Sequence, residues 1–141
     1  MTKRDPPSMH CENFATMYRF HVIVQAADAE GRPVTFWELS FEQAAQRLSR
    51  LPRMDVEPDG ALLWAGTDES GERWQVEGTL MDGGAALAYV ELKGSCPPAA
   101  WDELLRALGW PGQRLVYQLP QDGRWLSESQ FRAHAARAPA T

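Results

Sequence analysis

The chain has 141 residues and a mass of 15.8 kDa, one domain's worth of sequence and enough to bury about two thirds of the surface its unfolded form exposes. At 44% hydrophobic and 23% charged it is too apolar for a disordered chain, and no apolar run approaches the roughly 20 residues of a bilayer-spanning helix, so a membrane protein is not expected. A formal charge of −5, from 19 acidic and 14 basic side chains, argues against a nucleic-acid binder that works by neutralising phosphates and favours a basic partner over an acidic one.

Cys11 and Cys96 are the two cysteines, too few for the disulfide framework of a small secreted domain, and both are expected as free thiols. Lys3 and Arg4 are followed by Pro6 and Pro7 where a secretory signal would need an apolar stretch, so a cytoplasmic location is expected. Lys3 and Lys93 are the sole lysines, and Asn13 and Ile23 the sole residues of their types, a bias that suits a GC-rich bacterial genome.

Residues 1–16 have charge, two prolines and no sustained period, and read as a flexible leader. From Tyr18 to Ala26 apolar residues alternate with Arg19, His21, Ile23 and Gln25, the period of a half-buried strand. Turn residues from Asp28 to Arg32 precede Val34, Phe36 and Trp37, which predict a second strand closing a hairpin. Ser40 and Gln43 have the spacing of a capping box, and Phe41, Ala44, Ala45, Leu48 and Leu51 form a helical stripe that Pro52 ends. Pro52 to Gly60 reads as a connector.

Three strands follow, at Ala61–Gly66, Arg73–Leu80 and Ala85–Lys93, joined by Thr67–Gly71 and by Asp82–Gly84. Counting out from these turns places Leu80, Gly78, Val76 and Trp74 opposite Ala86, Ala88, Val90 and Leu92, and Trp64 and Leu62 opposite Trp74 and Val76. All of these fall on one buried face. The other face carries Leu63, Ala65, Leu87 and Tyr89 among Gln75, Glu77, Thr79 and Glu91, more apolar than a fully hydrated face, as if something covers it. Pro97 and Pro98 open a helix with Trp101, Leu104, Leu105 and Leu108 on one side, and Gly109 closes it. Arg114–Leu119 alternates as a strand, Gln121–Gly123 turns, and a second capping box, Ser127 with Gln130, starts a last helix to about Arg137. Residues 138–141 should fray. The order ββα, βββ, α, β, α predicts a single α+β domain over 17–137, a mainly antiparallel sheet of about six strands with helices on one face.

Chemical motifs are sparse. Neither a GxGxxG nor a Walker pattern is present; Gly83-Gly84 lies between two strands and reads as a hairpin turn. His10, Cys11, His21, Cys96 and His134 lack metal-ligand spacing, so neither a metal nor a cofactor is expected. Cys96, just before a helix, could have a lowered pKa, with His21 as the strand-borne base; the competing reading is a buried cysteine. Arg47, Arg50 and Arg53 read as a solvated helix face. Among six tryptophans, Trp64, Trp74 and Trp101 are expected in the core, whereas Trp37, Trp110 and Trp125 sit near element ends as candidate surface anchors; Glu77, Tyr89 and Glu91 on the outer sheet face are the other binding-surface candidates. The expected function is a non-enzymatic, acidic protein-binding domain, an adaptor, chaperone or immunity-type inhibitor of a basic partner, or one that self-associates. The alternative is a small-molecule-binding or thiol-dependent enzyme using Cys96.

Overall fold

The computed structural model describes residues 17–35 and 37–137. One seven-stranded antiparallel sheet carries the fold, with strands β1 (Tyr18–Ala26), β2 (Met54–Val56), β3 (Ala61–Thr67), β4 (Arg73–Asp82), β5 (Leu87–Cys96), β6 (Leu115–Leu119) and β7 (Arg124–Leu126). Their spatial order is β2-β3-β4-β5-β1-β6-β7. Three helices, α1 (Phe41–Leu48), α2 (Pro98–Ala107) and α3 (Glu128–Arg137), pack on one face. This is the expected α+β architecture. Among the described residues no helix is long and apolar enough to cross a membrane.

The strand count corrects the expected six, and the differences have one cause each. No strand forms at Val34–Trp37, and Phe36 lies outside the described residues; a single bridge, Ala27 to Pro33, follows β1. β1 is an interior strand, paired with β5 along Tyr18–Val24 and with β6 along Ile23–Ala26, which leaves only its last residues on the β5 side for the returning chain, where the Val34 amide donates to the Ala26 carbonyl at 2.9 Å. Two strands that sequence did not suggest, β2 and β7, have three residues each and flank the sheet. Such short edges offer little template for edge-to-edge aggregation.

The alternation assigned every strand face correctly except at one bulge, while both registers slipped by even steps. In β3–β4 Trp64 faces Val76 and Gly66 faces Trp74, because the loop is 68–72, closed by the Asp68 amide donating to the Glu72 carbonyl at 2.8 Å. In β4–β5 Leu80 faces Val90 and Gly78 faces Leu92, because the chain turns through Gly83–Ala86 and a bulge follows Met81. The extra residue re-aims Leu87, expected on the outer face, into the core, where it is fully buried.

The core lies between this face and the helices. Phe20 packs on Trp101 at 4.8 Å between ring centroids, Trp101 on Phe131 at 5.1 Å, and Phe131 stacks on Tyr117 at 4.9 Å, so α2 and α3 meet over β1 and β6. Trp64 and Trp74, diagonal in the true register, meet edge to face at 4.9 Å. Gly66 makes room for this pair, since a Cβ there would lie 2.4 Å from the Trp74 ring. Both capping boxes form: the Ser40 hydroxyl accepts from the Gln43 amide at 3.1 Å, and the Ser127 hydroxyl from Gln130 at 3.3 Å. Two turns share one chemistry, Asp-x-x-Gly-x. In each, the leading carboxylate (Asp28 or Asp68) accepts from the amides two and four residues on at 2.9 Å, and Gly31 or Gly71 adopts positive φ.

Candidate functional site

Cys96 and His21 do not form a pair. Cys96 faces Tyr18 and His21 faces Lys93 across the β1–β5 ladder. Three residues along a strand is an odd step of about 10 Å, which sends the two side chains to opposite faces. Cys96 is completely buried at the end of β5, and burial pushes its thiol well above the ordinary range, with Arg132 opposing and Asp102 adding to the shift. Desolvation outweighs any help from the following helix dipole, so no thiolate forms near neutral pH. Cys11 lies outside the described residues, among which no cluster of three or more potential metal ligands occurs.

The candidate surface residues divide. Glu77, Tyr89, Glu91 and Trp125 share the face of the sheet left bare by the described residues, where Glu77 lies opposite Lys93, Tyr89 opposite Met81, and Trp125 opposite Gln118. Leu63 and Trp125 are exposed there at 45% and 38%. Trp37, expected at the surface, is buried, and its Nε1–H donates to the Leu108 carbonyl at 2.9 Å, satisfying a group freed where α2 ends. Trp110 is half-buried and occupied by its own chain. Its Nε1–H donates to Glu128 at 2.9 Å, and the Arg132 and Arg106 guanidiniums lie 5.5 and 5.9 Å from its ring centre. Arg132 also reaches Glu128 at 3.0 Å and Asp102 at 2.7 Å, so Trp110 helps fasten α3 to α2.

A groove of about 640 Å³ opens where the β3–β4 turn, the start of α2 and the end of α3 converge. Tyr18, Trp74, Pro97, Pro98, Ala99 and Ala100 form its apolar wall, and Asp68, Glu69 and Glu103 supply carboxylates. Asp68 is held ionised below its ordinary 3.8, chiefly by the Ser70 hydroxyl and the Glu72 amide. Among the described residues no lysine, arginine or histidine lines this groove. Sequence reasoning missed it because its walls come from segments far apart in the chain. The order β3-β4-β5 brings Thr67–Glu69 beside Pro97–Ala100 only once the sheet has formed. The one local signal was the rigid, apolar Pro97–Ala100 run, too small-sided to fill a core.

No family model matches the chain, and no curated protein or solved structure is significantly similar to it.

Proposed function

We propose that this chain is a non-enzymatic cytoplasmic binding domain that takes a basic, apolar segment of a protein partner into the groove between the β3–β4 turn and α2. The observation that carries the reading is the groove's composition: an apolar wall containing Trp74 and Tyr18, three carboxylates, and no cation among its described lining. A Lys or Arg side chain lays its apolar stem along such a wall while its head meets the acids. The overall charge of −5 adds long-range attraction for the same kind of partner. An adaptor, a chaperone or an immunity-type inhibitor would each use this chemistry. The bare sheet face, with Glu77, Tyr89, Glu91 and Trp125, extends the contact area for a large partner or a second copy. The buried, protonated Cys96 gives no support to a thiol enzyme.

The test is a titration with two peptides, one alternating Lys or Arg with Leu and its acidic counterpart, read from amide and indole shifts in nuclear magnetic resonance spectra. The basic peptide should perturb Trp74, Glu69 and Ala99 saturably and bind more weakly as salt rises, because exposed carboxylates act over a Debye length of about 10 Å at 0.1 M. Glu69→Lys with Glu103→Lys, both exposed, should weaken binding about tenfold or more, equivalent to about 1.4 kcal/mol, and leave folding intact. Equal binding of both peptides, or perturbation confined to other surfaces, overturns the reading.

A further inference from the structure

The three helices pack on one side of the sheet, and the described residues leave the other side bare. Register fixes which charges stand on that bare face. Arg19, Arg73 and Lys93 balance Asp55, Glu77 and Glu91, so the face is neutral although the chain carries −5. Two copies of an acidic protein repel each other least where their surfaces are neutral. The charges are also sorted. Asp55, Leu63, Glu77, Lys93 and His21 stand side by side in one row across five strands, with both acids toward β2 and both bases toward β1. A row of this kind complements its own reverse. Leu63 is 45% exposed within it, and half-buried Met81 and Tyr89 stand opposite each other two rows away.

We propose that this face is the interface of a symmetric homodimer, two sheets packed face to face about a two-fold axis that runs along the strands between β4 and β5. That axis reverses every row. Glu77 then meets Lys93 of the second copy, Met81 meets Tyr89, Thr79 meets Glu91 and Gln75 meets Ser95, so no like charges face each other beside the axis. Aligned sheets pack about 10 Å apart, a gap that these side chains fill from both sides. The six strands β1 to β6 of each copy overlap, and at about 4.8 Å between strands and about 3.3 Å per residue they offer roughly 700 Å² per copy. Stable interfaces use about 600–1,000 Å² per partner. None of these meeting residues lines the groove beside α2, so the dimer and the groove stand or fall separately.

The full chain is followed by sedimentation velocity from about 5 to 500 µM, at low and at high salt. Self-association should show a dissociation constant of about 10–100 µM and weaken as salt rises, because the central contacts are charged. Glu77→Lys and Lys93→Glu, both at exposed positions, should each weaken it about tenfold or more, whereas Glu103→Lys, the same charge change beside α2, should not. An equimolar mixture of the first two should associate again, since the introduced lysine meets the introduced glutamate and the remaining Glu77 meets the remaining Lys93. Circular dichroism checks that each variant is folded; Leu63→Glu, also at an exposed position, should weaken association as much and replaces either one that is not. A chain that stays monomeric throughout overturns the proposal and leaves the face to residues 1–16 or to a different protein. Association that survives both charge reversals overturns it too, as does a mixture that remains monomeric.

Discussion

Trp74 shows how much of the outer hairpin rests on single contacts. Its indole lies across Gly66, meets Trp64 edge to face, and still borders the acid-rimmed groove. Trp64 also spends its Nε1–H on the Pro52 carbonyl at 2.9 Å, tying the segment before β2 to the sheet. Replacing either tryptophan by alanine should therefore destabilise the fold by about 3–5 kcal/mol, measured by urea unfolding. Glu77→Ala, on the bare face two residues from Gln75, should change stability by less than about 0.5 kcal/mol in the same measurement. The contrast checks the face assignment directly, because a one-residue slip would exchange the two outcomes. Burial of Trp64 and Trp74 was legible from strand alternation, but burial of Trp37 was not. Trp37 follows a bridge and precedes a helix without lying in either, and the carbonyl that holds it belongs to Leu108.

At the scale of elements, what the sequence made legible followed period and capping. β1, β3, β4 and β5 alternate over seven to ten residues, and α1 and α3 announce themselves by a serine three positions before a glutamine. β2 and β7, at three residues each, are too short for any period to register. Loop ends were the weaker reading: identifying the turn residues did not locate the last paired residue on each side, which displaced both registers while preserving the faces. The Asp-x-x-Gly-x repeat contained information that could have corrected the β3–β4 loop, since its aspartate bonds four residues ahead and so marks where pairing ends. The same bonds give the turn a pH response. The folded Asp68 carboxyl is depressed below 3.8 by donors present only in the turn, so its contribution is fully present above that value and is lost as pH falls through the depressed one. Amide exchange at Ser70 and Glu72 should stay protected down to about pH 4 and rise below it. Asp68→Ala should remove this pH dependence and raise exchange at neutral pH.

At the scale of the molecule, charge and topology are both unevenly distributed. Carboxylates gather at the groove beside α2, and among the described residues one sheet face has no helix over it. The site most readily imagined from sequence, the bare face, carries opposite charges close together, with Glu77 opposite Lys93 and Glu91 against His21. The groove beside α2 is more uniform in sign, and it could not be found without the strand order. It depends on residues brought side by side only when β3, β4, β5 and β1 have assembled.

The interior place of β1 also orders events in time. β2 to β5 follow one another as neighbouring hairpins, whereas β1 pairs with no strand synthesised before Leu87 and gains its second partner only with β6. Closing the long intervening loop is the entropically costly step, so the meander should form the folding nucleus and β1 should dock late. In stopped-flow kinetics, Val76→Ala and Val90→Ala should chiefly slow folding, while Val24→Ala should chiefly speed unfolding. Of the described strands, β1 is thus the one that waits longest on the ribosome for a partner. Through that interval Phe20, Val22 and Val24 have no β5 or β6 to pack beside, and the nascent chain carries an unpartnered apolar strand open to pairing with other chains.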